Sequence, residues 1–117
     1  MADLKVYGIK NCQTVKKALT WLDENNLKYS FHDYKTQGIT ESKLKEWIKQ
    51  VGWEKLVNRQ GMTWRQLDDA AKAKVTSASA AISLMRDKTS VIKRPLIEDG
   101  NSVVALGFDE KEYGKLK

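Results

Sequence analysis

The chain is 117 residues long with a net charge of +6, and it holds one cysteine, one histidine and one proline. That length supports one domain with its own core, needing neither disulfides nor structural metal, and a lone cysteine excludes an internal disulfide. No stretch approaches a membrane span, and the basic residues are mixed with acids, as in Glu41-Ser42-Lys43-Leu44-Lys45-Glu46. Neither a membrane nor nucleic acid is therefore an expected partner, whereas a positive balance suits a small anionic ligand.

The first residues, Met-Ala-Asp-Leu-Lys-Val-Tyr, carry no long apolar core and no small-residue cleavage pattern, so a reducing, cytoplasmic setting is expected. Leu4, Val6 and Gly8 read as a strand. From about Gln13 to Asn25 the apolar residues Val15, Ala18, Leu19 and Leu22 recur at helical spacing, and Asn25-Asn26 supplies a stop. Lys28 to Tyr34, rich in aromatics, reads as a second strand. Strand, helix and strand in this order imply a right-handed parallel crossover.

Thr40 caps a predicted helix carrying Leu44, Trp47, Ile48 and Val51, which Gly52 closes. Trp53, Leu56 and Val57 form an apolar patch before a loop at Asn58-Arg59-Gln60-Gly61. Thr63 and Gln66 make a capping-box pattern for a further helix, and Ser77 precedes another over Ala78 to Met85. Val91 to Ile97 reads as a strand entry, and Glu98-Asp99-Gly100-Asn101 as a turn into Val103, Val104 and Leu106, which makes an antiparallel pair. Asp109 with Glu112 marks a final helix. The organisation is a single domain with a helical insertion over about residues 40 to 90.

Cys12 lies where the first strand pattern gives way to the first helix. A helix N-terminus presents unpaired N–H groups and the positive end of the macrodipole, and both favour thiolate over thiol. Lys10, Lys16 and Lys17 are near in sequence and add to that field. Asn11 is open between hydrogen bonding near the sulfur and capping the helix, and Thr14 shares both options. Pro95, at the start of a predicted strand, places a tight backbone turn against a substrate if its peptide bond is cis; the residues alone do not fix the isomer. His32 has no metal-ligand set around it and reads as structural, and Trp21, Trp47, Trp53 and Trp64 read as packing residues.

Cys12 after the first strand, Arg59 in Leu56-Val57-Asn58-Arg59, and Arg94-Pro95 before a closing hairpin together resemble the arsenate reductase (ArsC) family of the thioredoxin-fold superfamily, over nearly the whole chain. Tyr7-Gly8-Ile9-Lys10-Asn11-Cys12 and Gly107-Phe108-Asp109-Glu110 are similar to its YffB-type branch. The resemblance implies an α/β thioredoxin-like fold with a mixed four-stranded sheet flanked by helices, and a cis bond between Arg94 and Pro95. It implies Cys12 as nucleophile, with Arg59 and Arg94 as anion-holding groups beside it. A guanidinium fork matches a carboxylate or oxyanion, so those roles agree with the chemistry.

Two departures stand out. The arsenate reductases of the family have a histidine four residues before the cysteine, where this chain has Gly8, and a third arginine at a place that aligns with about Gly107. Regulators of the Spx type often carry a Cys-x-x-Cys switch, which Cys12-Gln13-Thr14-Val15 cannot form. The leading expectation is a glutathione-dependent thiol/disulfide reductase, because a single cysteine needs an external thiol to resolve its intermediate and glutathione is anionic, matching Arg59, Arg94 and Lys10. The alternatives are arsenate reduction with glutathione and glutaredoxin, and an Spx-like redox sensor that binds RNA polymerase.

Overall fold

The computed structural model describes residues 4–116. A mixed sheet of four strands runs in the order β2-β1-β3-β4. The central strand β1 (Leu4–Gly8) pairs in parallel with β2 (Tyr29–Asp33) and antiparallel with β3 (Leu96–Asp99), which pairs antiparallel with β4 (Ser102–Leu106). The parallel pair is joined by α1 (Gln13–Glu24) and the antiparallel pair is followed by α8 (Glu110–Gly114). A β-α-β unit continued by a hairpin and a helix is the thioredoxin-like arrangement.

The chain divides into two compact units, residues 4–37 with 94–116, and residues 38–93. In the first, alternation along β1 sends Leu4 and Val6 to one face of the sheet, where they pack with Ile97, Ala105, Ala18, Leu22 and Tyr113. Val15, Ala18 and Leu22 form the buried stripe of α1. Full burial of a leucine such as Leu22 contributes about 1.5–3 kcal/mol. α1 ends at Asn25. Asn26, at φ 58°, turns the chain so that Asn26 N–H donates to Asp23 O and Leu27 N–H to Leu22 O. This pair of bonds satisfies carbonyls that a helix end leaves free. The Tyr113 hydroxyl donates to Gly107 O at 2.9 Å, and its ring meets Trp21 and Phe108 edge-on, which ties α8 to this core.

The second unit is helical: α3 (Glu41–Val51), α4 (Trp53–Leu56), α5 (Met62–Arg65), α6 (Asp69–Ala73) and α7 (Ala78–Asp87). Leu44, Trp47, Leu56, Ala81, Met85 and Ile92 are its buried residues without solvent exposure. Thr40 caps α3 by accepting from Lys43 N–H at 3.1 Å, and Ser77 caps α7 by accepting from Ala80 N–H at 3.3 Å. Gly52, at φ 86°, closes α3 in a conformation that costs other residues more.

Four sequence expectations change. Tyr34 leaves the strand and opens a short helix, α2 (Tyr34–Gln37), because Asp33 Oδ1 accepts from Lys35 N–H and turns the chain. Thr63 lies inside α5, whose N-cap is Gly61, so its pairing with Gln66 caps nothing. Residues Thr89–Val91 form a 3-10 turn and Ile92 pairs with Val57 in an isolated bridge outside the strands, so β3 begins at Leu96. Glu98 belongs to β3 and is buried, while Gly100 and Asn101 alone make the turn.

Candidate active site

The site starts from the junction of β1 and α1. Cys12 N–H donates to Ile9 O at 3.1 Å, and Cys12 O accepts from Lys16 N–H at 3.0 Å, which opens the helix. Cys12 is thus the N-cap residue, with extended backbone at φ −90° and ψ 128°. Gly8 lets the first turn of α1 close on the end of β1: a Cβ there would stand 2.8 Å from the Val15 Cγ2, and Val15 is completely buried.

Cys12 is half-buried, and burial by itself raises its thiol pKa. The Val15 amide, the Arg94 guanidinium and the Thr14 amide oppose burial and together hold the thiol below its ordinary value of 9.0. The Cys12 sulfur makes no cap hydrogen bond of ordinary geometry with the amides that open α1. Their contribution is that of oriented dipoles acting on an anion. Arg94 adds a hydrogen bond and a full positive charge.

Arg94 is placed by the sheet register. Tyr7 pairs with Leu96, so the residues immediately before Leu96 run beside the end of β1. The Arg94–Pro95 peptide is cis, Pro95 is buried, and Pro95 O accepts from Gly107 N–H at 2.7 Å. Cys12, Arg94 and Pro95 therefore come together within the first unit. Lys10 and Asn11 are exposed in the turn before Cys12; the cap falls to Cys12 and not to Asn11. Lys16 and Lys17 are exposed on α1.

Behind this corner lies a polar cluster that sequence reasoning missed. Glu98 is 2% exposed and accepts a 2.8 Å hydrogen bond from the Tyr7 hydroxyl. The Tyr7 ring lies 4.9 Å from that of His32 and 6.3 Å from that of Tyr34. Burial pushes the Tyr34 phenol well above its ordinary value; Tyr7 and Glu98 act in the same direction and Arg94 against it. The phenol thus stays neutral. The signal available in sequence was an acid directly after the apolar pair Leu96-Ile97, which fits a strand better than a turn. His32 is an aromatic partner in this cluster, and among the described residues no group of three or more His, Cys, Asp and Glu side chains could hold a metal ion.

Arg59 belongs to the second unit. Asn58 N–H donates to Val91 O and Lys93 N–H to Leu56 O, both at 2.7 Å, which anchors the segment entering the loop. Asn58 Oδ1 then accepts from Gln60 N–H at 3.2 Å. Arg59 is exposed, and its guanidinium carbon lies 5.5 Å from the Trp53 ring centroid and 5.8 Å from that of Trp64. Trp47 is core, as expected, but Trp53 and Trp64 are half-buried partners of this arginine.

A thiol at a helix N-terminus, lowered by amides and a guanidinium beside a cis-proline, defines a thioredoxin-fold protein with one ionisable cysteine. The ArsC family pattern matches residues 7–116, and the chain belongs to the ArsC family. It is 45% identical to a solved structure named YFFB protein, with a TM-score of 0.89 and 96% of each chain covered. An arsenate reductase (ArsC) related protein from Brucella melitensis is 40% identical at a TM-score of 0.77, over 97% of this chain and 92% of that one. An uncharacterised protein of Haemophilus influenzae is 43% identical over 94% of this chain and 95% of its own length.

Proposed function

We propose that the protein is a glutathione-dependent thiol/disulfide reductase with Cys12 as its nucleophile. The observation that carries this reading is the half-exposed Cys12 thiol held below its ordinary value by α1 amides and Arg94. In the first step the Cys12 thiolate attacks a glutathione mixed disulfide at the glutathione sulfur. A Cys12–glutathione disulfide forms, the substrate S–S bond breaks, and the substrate leaves as a thiolate that takes a proton from water. In the second step a glutathione thiolate attacks the glutathione sulfur of that adduct, giving oxidised glutathione and restoring the Cys12 thiolate. One disulfide is consumed and one is made, so no further electron donor enters.

Arg94 both stabilises the thiolate and offers N–H groups to a glutathione carboxylate. The Pro95 backbone meets the extended tripeptide, Lys10 and Asn11 contribute charge and hydrogen bonds at the rim, and Arg59, in the second unit, is a further guanidinium for an anionic group. Glutaredoxin enters only under the arsenate alternative. Two observations speak against that alternative: a side chain at Gly8 collides with Val15, and Gly107 sits at φ 87°, where arginine is strained. The groups that distinguish the arsenate reductases are therefore hard to restore in this backbone.

Intact-mass analysis after exposure to oxidised glutathione tests the reading. Wild type gains one glutathione and Cys12→Ser gains none. A wild-type chain that stays unmodified, or a partner protein such as RNA polymerase retained equally by Cys12→Ser, would favour the regulator instead.

A further inference from the structure

We propose that Trp53 and Trp64 are positioning residues that hold the Arg59 guanidinium ready for a ligand carboxylate, an inference that rests on the glutathione reading above. Trp53 opens α4, Arg59 lies in the loop that follows, and Trp64 sits in α5, all in one compact unit. The guanidinium carbon is 5.5 Å from one indole centroid and 5.8 Å from the other. Both lie within the distance at which an indole face attracts a cation.

Two physical consequences follow. An exposed arginine samples many rotamers and loses that freedom when a ligand fixes it; here two rings restrict it beforehand. Arg59 is exposed, and its planar fork of N–H donors can pair with a carboxylate through two parallel hydrogen bonds. Among the described residues Arg59 has no ion pair with an aspartate or glutamate, so its charge is not neutralised internally. Asn58 braces the loop by accepting from Gln60 N–H at 3.2 Å. The ligand class is a small peptide-like thiol bearing free carboxylates.

The probe is S-methylglutathione, which keeps both carboxylates and cannot form a disulfide, titrated into the full chain by calorimetry and by indole fluorescence. Trp53→Leu and Trp64→Leu should each weaken binding about threefold to fivefold, and the double variant about tenfold. Phenylalanine at either position should restore most of the loss, leaving about a twofold deficit from its weaker quadrupole.

If a leucine variant does not fold, the phenylalanine variants decide. Folded leucine variants with wild-type affinity, phenylalanine variants weakened as much as the roughly threefold to fivefold expected of leucine, or a wild-type chain that does not bind S-methylglutathione, overturn the proposal. If Cys12 still takes up glutathione in that case, only the tryptophan clamp fails and the reductase reading stands. If binding is lost in the variants but no adduct ever forms on wild-type Cys12, the carboxylate site stands and the reductase reading fails.

Discussion

The two units set their charged groups in different ways. In the first, the charge to be stabilised is the protein's own: the Cys12 sulfur sits at a helix end, under backbone amides and Arg94, and the positions of these groups follow from sheet register and the β1–α1 turn. In the second, the charge is the exposed Arg59 guanidinium, whose carbon lies 5.5 Å from the Trp53 ring centroid and 5.8 Å from that of Trp64, both on short elements. Lowering of the thiol pKa thus combines backbone amides with one side chain, Arg94, whereas the setting of Arg59 depends on side chains alone. A backbone-built site tolerates surface change and fails when the strand–helix junction is altered. A side-chain-built site leaves the fold intact when it is lost.

The comparison can be broken first at the cores. Leu22→Ala in the first unit and Leu44→Ala in the second each remove a fully buried leucine, and each should destabilise the chain by about 2–5 kcal/mol in urea unfolding. A cost in one unit with none in the other would show that the second unit adds no stability of its own to the measured transition. Arg94→Gln and Arg59→Gln sharpen it further. The first should slow turnover at neutral pH about tenfold through loss of a charge-assisted hydrogen bond to the thiolate. The second should weaken S-methylglutathione binding by about the same factor.

Caps give a smaller effect. Thr40→Ala should cost about 1 kcal/mol by removing the acceptor for Lys43 N–H, with no change in the reactivity of Cys12.

Stability should also depend on pH through the thiol. Because the folded thiol pKa lies below its unfolded value, ionisation of Cys12 contributes stability that is fully present above the unfolded pKa and is lost as pH falls through the folded one. Wild type should therefore gain on Cys12→Ser as pH rises across that window, read as a difference in urea midpoint.

Much of the first unit was legible in the residues. Helical spacing of Val15, Ala18 and Leu22, the Asn25-Asn26 stop and the glycine turn of the closing hairpin each reflect a local rule that tertiary packing did not override. Cys12 at the strand–helix junction followed from the same periodicities. What escaped were features set by contacts between distant residues. Glu98 reads as a turn residue because Asp99, Gly100 and Asn101 follow it, whereas its burial is supported from across the sheet by the Tyr7 hydroxyl. Thr63 and Gln66 satisfy a capping pattern that the chain does not use, since Gly61 starts a helix of a single turn. That Arg59 lies over Trp53 and Trp64 has no sequence period at all, because loops and one-turn helices bring the three together. The cis Arg94–Pro95 bond came from family resemblance and not from the residues themselves.

The most direct test is the pH dependence of Cys12 alkylation by iodoacetamide, in wild type and in Arg94→Gln. A wild-type midpoint below 9.0 that moves upward in the variant is the predicted result. A wild-type midpoint at or above 9.0, unmoved by loss of the guanidinium, would contradict it.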